Sequence, residues 1–254
     1  MRTSITLVGT SALVGALLSL AITAASAAPI PVNNFSFEAV PPGGFPFTAG
    51  CVQPGCSYSE GVGAIPGWTS TVPSLSGEFI PGTQVGNFFA FDIMPDGITG
   101  AFIGSPGIGT ISQTVGTMVQ VGVTYTLEVD LGWRKDYPAF TGTADLLVNG
   151  TRYVASGVMP VHGNWSTFTA TYTGLAVDAG DPITIELNNS NNSLQADFDD
   201  VRLSSNIASV VPEPASIGML GVGLIGLLVF TRRKRACKLD VVVRGSPCAA
   251  ANAA

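Results

Sequence analysis

The sequence predicts an all-β protein, a two-sheet β-sandwich of jelly-roll topology, on three observations. Between the two ends of the chain the apolar residues recur with period two, and no helical stripe of useful length interrupts them. The dipeptide Asn149-Gly150 stands between two such runs, the signature of a tight hairpin whose turn needs positive φ at both positions. Many short strands alternate with turn signals, and no internal repeat at solenoid spacing accompanies them.

The clearest strand is Thr124 to Trp133. There Tyr125, Leu127, Val129, Leu131 and Trp133 alternate with Thr126, Glu128, Asp130 and Gly132, so one face is buried and the other wet. The same reading places strands at Val85 to Ile93, Thr110 to Val115, Thr143 to Val148, Arg152 to Val158, Thr167 to Tyr172, Ile183 to Leu187 and Ala196 to Leu203. From Pro41 to Gly82 the chain is rich in Gly, Pro and Ser and reads as a long, mostly irregular excursion with short strands. Such a loop is uncommon in a compact domain unless it carries function or a staple. Cys51 and Cys56 bracket a Pro-Gly turn within it and supply the staple, a disulfide permitted by an oxidising compartment. Metal binding by this pair is disfavoured, because no His or third Cys accompanies it.

Both termini carry targeting patterns. Arg2 precedes an apolar run from Ile5 to Ile22, and Ala25-Ser26-Ala27 offers the small residues that signal peptidase requires, so cleavage is expected after Ala27. Near the other end, Pro212-Glu-Pro214 precedes an apolar run from Ser216 to Phe230. That run spans only ~23 Å as a helix against a ~30 Å hydrocarbon core. Arg232, Arg233, Lys234 and Arg235 follow, and such a basic cluster stays on the cytoplasmic side. The order of parts divides the chain into a signal peptide (1–27), an ectodomain (28–209), a sorting and anchoring segment (210–235) and a cytoplasmic extension (236–254).

Charge narrows the partners. Between the targeting segments lie four basic residues, Arg134, Lys135, Arg152 and Arg202, against fifteen Asp and Glu, a formal charge of 4 − 15 = −11. A surface of that sign does not neutralise a polyanion, which excludes nucleic acid. Neutral glycans and cations suit it better.

Two resemblances sharpen the reading. The Pro-Glu-Pro tripeptide, the short glycine-rich apolar span and the basic cluster, in that order from Val211 to Arg235, resemble the PEP-CTERM sorting signal of Gram-negative bacteria that export polysaccharide. That resemblance implies export, transient anchoring in the inner membrane, and processing by an exosortase before transfer to the surface or an extracellular matrix. Members of that group usually end soon after the basic cluster, whereas this chain runs on from Ala236 to Ala254. Within the ectodomain, Asn33-Asn-Phe-Ser-Phe-Glu38 and Asp197-Phe-Asp-Asp-Val-Arg-Leu203 resemble the first and last strands of galactose-binding-like jelly rolls, a group that includes many carbohydrate-binding modules. Ile111 to Val115, Gly122 to Leu127 and Gly132 to Arg134 are similar to the middle of the same group.

Candidate sites follow from both. The resemblance brings the first and last strands together, so Glu38, Asp199 and Asp200 converge with only Arg202 to offset them. Two carboxylates ~4 Å apart repel by about 4 kcal/mol at an effective dielectric of ~20. Calcium, which accepts carboxylates and carbonyls, would relieve that repulsion, and the resemblance implies it as a structural ion; the competing reading is a solvated aspartate pair with Glu38 on Arg202. Phe198 and Val201 lie three apart, so burial of both requires a bulge between them. For glycan contact, which needs an exposed ring and a few polar groups, the stretch from Trp133 to Phe140 offers Tyr137 and Phe140 as platforms with Arg134, Lys135 and Asp136 beside them. Trp133 continues the buried parity of its strand, and Trp68 and Trp165 read as buried anchors.

Catalytic motifs are absent: no nucleophile elbow, phosphate loop or zinc spacing, and a single histidine, His162. Glu128 and Asp130 form an acidic pair, but on the wet face of one strand. The expectation is a non-catalytic, exosortase-processed matrix protein associated with exopolysaccharide or biofilm, with or without a sugar site, and a glycoside hydrolase stands as the enzymatic rival.

Overall fold

The computed structural model describes residues 27–207 apart from 52–53, 85–86 and 89. The expected signal peptide and the sorting segment, including Pro212, Glu213, Pro214 and the basic cluster, lie outside the described residues. Strands β1 (Ala28–Ile30), β2 (Cys56–Tyr58), β3 (Thr69–Ser70), β4 (Ser76–Pro81), β5 (Thr83–Gln84), β6 (Asn87–Phe88) and β7 (Gly100–Ile103) make up the first half. The second half holds β8 (Gly109–Met118), β9 (Val123–Gly132), β10 (Thr143–Val148), β11 (Thr151–Val154), β12 (Ser156–Gly157), β13 (Trp165–Thr173), β14 (Pro182–Asn189) and β15 (Ala196–Ile207). Among the described residues no helix is long and apolar enough to cross a membrane.

All strands but β5 and β6, which pair with each other as a separate two-stranded ribbon, form the two sheets of a jelly-roll sandwich, as expected. The larger runs β12-β13-β9-β15-β7-β4-β2, with β1 pairing a second stretch of β15, and the smaller runs β11-β10-β14-β8-β3. Alternation on β9 does what its pattern dictates: Tyr125, Leu127, Val129 and Leu131 are buried between the sheets. They meet Ile111 of β8, Leu146 of β10 and Ile183, Ile185 and Leu187 of β14, all fully buried. The hairpin at Asn149-Gly150 forms with φ of 47° and 75° and joins β10 to β11 with Val148 opposite Thr151. The anticipated bulge is present in β15, where the register shifts between Asp199 and Arg202 and Asp200 takes φ 45°. That shift buries both Phe198 and Val201.

Several elements differ from the sequence reading. The Arg152 to Val158 run breaks at the buried Ala155, so β11 edges the smaller sheet and β12 the larger. Asn33 to Glu38 is not the first strand but a series of turns with positive φ at Asn34 and Phe37. Asn34 holds it there, its amide donating to the Pro66 carbonyl and to Glu78 while its oxygen accepts from the Ala39 N–H. The N-terminal strand that pairs with β15 is β1, five residues earlier in the chain than that motif. Val85 to Ile93 yields only the short β6 among its described residues. The stretch read as irregular contains β4, buried on every residue but Ile80. A strand covered on both faces shows no alternation, which is why periodicity does not find it.

Candidate active site

Register places a row of residues on the outer face of the larger sheet. Trp165 of β13 stands opposite Gly132 of β9, Gly132 opposite Asp197 of β15, Asp197 opposite Phe102 of β7, and Phe102 opposite Gly77 of β4. Parity turns Phe198 and Leu131 into the sandwich core and therefore Asp197 outward. Outward does not mean wet here. A second apolar cluster of Phe79, Ala90, Phe91, Met94 and Phe102, with Tyr58 and Trp165 packed on it, covers that face.

Glycine makes room for this cover. A Cβ at Gly132 would lie 2.7 Å from Cε1 of Phe91 and 2.8 Å from the Trp165 ring. Phe91 and Trp165 rings lie 4.3 Å apart. Their segment is tied down from above, since Lys135 Nζ lies 2.6 Å from Asp92 and the Lys135 N–H donates to the Ala90 carbonyl.

Beside this cluster opens a cavity of about 270 Å³. Tyr58, Phe79 and Phe102 form its apolar wall, Arg134, Asp136, Tyr137 and Gln195 its polar side, and Cys51 and Cys56 part of its rim. The disulfide between those cysteines is formed, with Cα atoms 5.4 Å apart. Arg134 donates two hydrogen bonds to Asp136, at 2.9 and 2.8 Å, and its guanidinium lies over Phe79 and Tyr137. The Tyr137 loop is pinned by its own carbonyl, which accepts from Trp133 Nε1 at 3.1 Å and lies 3.1 Å from His162 Nε2. Trp133 is thus half-buried at the surface rather than in the core, because β9 ends at Gly132 and the chain turns there.

Asp197 lies behind the polar side of the cavity. Gln195 donates to its Oδ1 at 2.6 Å, while its buried Oδ2 has no hydrogen-bond partner. Burial is the main cause that pushes this carboxyl up to about 7, with Arg134 and Gln195 pulling it down and Asp136 raising it further. A carboxyl so placed is divided between its protonated and ionised forms near neutral pH and can give up a proton or take it back. Burial likewise raises the Tyr137 phenol, against the pull of Arg134, and keeps it an O–H donor.

Of the residues singled out from sequence, Arg134, Asp136 and Tyr137 come together at the cavity. Phe140 does not, for it stacks on Phe168 with centroids 5.8 Å apart at the edge of the core. Glu38, Asp199 and Asp200, expected from the sequence as calcium ligands, each have partners within the protein. Glu38 Oε1 accepts from the Ile98 and Thr99 N–H groups and the Thr99 hydroxyl, Asp199 accepts from the Asp96 and Asp200 N–H groups, and Asp200 pairs with Arg202 at 3.2 Å. Among the described residues no group of three His, Cys, Asp or Glu is placed to hold a metal ion. Asp197, Gln195, Tyr58, Phe79 and Phe102 were missed. The parity of Ala196 and Phe198 signals the direction of Asp197, but nothing in its own strand shows that the outer face is covered.

Comparison with known proteins places this architecture. No curated protein matches the sequence. The PEP-CTERM protein-sorting motif matches residues 210–235, so the chain is an exported, exosortase-sorted protein with a C-terminal anchoring signal. Among solved structures, the Stig cyclase Fisc from Fischerella sp. TAU, in complex with (3Z)-3-(1-methyl-2-pyrrolidinylidene)-3H-indole, is 23% identical with a TM-score of 0.57, covering 72% of this chain and 100% of its own. A cyclase from the same source in complex with 4-(1H-indol-3-yl)butan-2-one is 21% identical with a TM-score of 0.55, covering 72% and 99%. A CBM22 xylan-binding domain from Paenibacillus barcinonensis is more remote, 13% identical at a TM-score of 0.39 over 56% of this chain and 92% of its own. At these identities the likeness is one of fold. The family model described as HpiC1 cyclase matches residues 28–204, and this corrects the expectation of a non-catalytic domain, which rested on the absence of linear motifs. A lone buried carboxyl on a strand leaves no such motif. From its first described strand almost to the end of β15, the chain belongs to the HpiC1-like cyclase family.

Proposed function

We propose that the ectodomain is an exported cyclase whose cavity beside Phe79 and Phe102 takes a flat, largely apolar substrate, with Asp197 as the proton donor and acceptor. The observation that carries this reading is the pairing of an aromatic wall with a buried carboxyl whose pKa lies near 7 and whose Oδ2 is unpartnered. Ring closure driven by protonation needs an acid whose protonated form is still well populated near neutral pH, and electron-rich faces stabilise the positive charge that follows. Tyr58, Phe79, Phe102 and Tyr137 supply such faces. Gln195 holds Asp197 by Oδ1 and leaves Oδ2 for the reacting partner.

A second reading uses the same cavity for a sugar ring of an exported matrix polysaccharide. It draws on the Tyr137 ring beside the Arg134–Asp136 pair, which could grip hydroxyls.

One pair of measurements separates the readings. Calorimetric titration of residues 28–207 with 4-(1H-indol-3-yl)butan-2-one is expected to show binding that weakens about tenfold or more in Phe79→Ala. Asp197→Asn should bind comparably and yet turn over no substrate. Co-sedimentation with the exopolysaccharide of the source, lost in Tyr137→Ala, would favour the sugar reading instead. A folded domain that binds neither the indole nor the polysaccharide would sink both.

A further inference from the structure

At the end of the sandwich opposite the cavity, two loops form an apolar tip. Residues 118–122 (Met-Val-Gln-Val-Gly) join β8 to β9, and residues 174–180 (Gly-Leu-Ala-Val-Asp-Ala-Gly) lead from β13 towards β14. They interlock by backbone hydrogen bonds: the Gly122 N–H donates to the Gly174 carbonyl, and the Gly180 N–H to that of Val119, each at 2.9 Å. From this rigid pair Met118, Val121, Leu175 and Val177 project with 53, 60, 52 and 77% of their surface exposed.

Of the two aspartates between β13 and β14, Asp178 is turned inward and buried, and Asp181, next to β14, is half-buried. Asp178 accepts from the Tyr172 hydroxyl at 2.6 Å and from the Asn149 amide at 3.2 Å. In an ectodomain of charge −11, two adjacent loops that expose four large apolar side chains, with the half-buried Asp181 at their border with β14 as the one charge beside them, are out of keeping with a surface meant for water alone.

The exit of the chain says what lies over this tip. Ile207, the end of β15, pairs with Val123, the first residue after the 118–122 loop, so the chain leaves the domain at the tip. Nine residue steps separate Ile207 from Ser216, where the apolar run of the sorting segment begins, and at ~3.3–3.6 Å per residue they reach ~30 Å at most. The lipid surface that receives residues 216–230 is therefore within reach of the tip. A short tether also raises the effective concentration of that surface to a level at which a few apolar side chains suffice.

We propose that the tip formed by Met118, Val121, Leu175 and Val177 docks into the outer surface of the membrane while the sorting segment anchors the chain. This rests on the anchored form of the protein and not on what the cavity binds. Docking stands the sandwich on end, and β9, ~30 Å long from Val123 to Gly132, then holds the cavity away from the lipid. Release by exosortase would end the tether and with it the docking, because the tip alone is small.

The test uses the full chain with Cys237→Ser and Cys248→Ser, carrying an environment-sensitive fluorophore at Val177→Cys. It is reconstituted in vesicles of phosphatidylethanolamine with a minority of phosphatidylglycerol, some lipids bearing a quencher. A label at Val158→Cys, exposed near the cavity end, is the comparison. Docking predicts a blue-shifted label at position 177 that lipid-borne quencher extinguishes, an unaffected label at position 158, and a several-fold loss of quenching when Val121→Ser and Leu175→Ser are added. Equal quenching at both positions, or none at either, overturns the proposal. So does a concentration-dependent blue shift in detergent without lipid quenching, which would make the tip an interface between copies. Flotation of the vesicles reads anchoring separately, and a chain that does not float removes the anchored state and the proposal together.

Discussion

Asp197 and Gly132 stand opposite each other on adjacent strands, and the ring of Phe91 occupies the place where a side chain at Gly132 would go. The glycine therefore sets how closely the aromatic cover sits over the row that holds the acid. Gly132→Ala forces Phe91 and Trp165 apart. Overpacking of this kind costs about 1–3 kcal/mol, and chemical denaturation should show it, together with weaker indole binding as the cover shifts.

Glu78 gives a second, independent expectation. It is buried, its Oε1 accepts from Asn34 at 2.6 Å, and its Oε2 has no partner. Burial, the largest cause, pushes it up to about 8, against the Asn34 hydrogen bond and with the help of Glu38. Between its unfolded value and about 8 the native state binds more protons than the unfolded chain, so stability is full below pH 4 and falls as pH rises. Glu78→Gln cannot ionise. Melting curves at pH 5 and pH 9 should show little change at the first and a higher Tm, by about 3–6 °C, at the second.

How much of this was legible can be judged strand by strand. Tyr125 to Leu131 alternate because one face meets the core and the other does not, and β9 was readable for that reason. Asn149-Gly150 was readable because its turn permits few other residues. Ser76 to Pro81 was not, since burial on both faces removes the period. The site divides in the same way: Arg134, Asp136 and Tyr137 drew notice as a cluster of charge and aromaticity, whereas Asp197 is made an acid by chain that arrives a hundred residues earlier, from Phe79 to Met94. Its pKa is a tertiary property, and so are the surroundings of Glu38 and Asp199, to which the loop from Asp96 to Thr99 brings N–H donors.

The Cys51–Cys56 bridge closes a loop too short to stabilise the domain greatly. Loop-closure entropy for six residues amounts to about 2 kcal/mol. The double variant Cys51→Ser, Cys56→Ser should fold with about that loss in denaturant melts. Since both cysteines line the cavity rim, a larger relative effect is expected on ligand affinity than on stability.

Asp197 should reveal itself by a conflict between stability and activity. Its carboxyl is buried with one oxygen unpartnered, and ionising it above pH 7 leaves a charge in a site where Arg134 compensates only in part. The folded pKa is raised, so its contribution to stability is present at low pH and lost as pH passes about 7. Asn at this position keeps the shape, can still accept from Gln195 through its oxygen, and carries no charge at any pH. Asp197→Asn should therefore melt higher than the parent at pH 9 and about the same at pH 5, while catalysis disappears at both. A residue kept for packing alone would show no such split. If Asp197→Asn lost stability across the whole range, or retained turnover, the carboxyl would be a structural group and the acid would have to be sought among the residues that line the cavity itself.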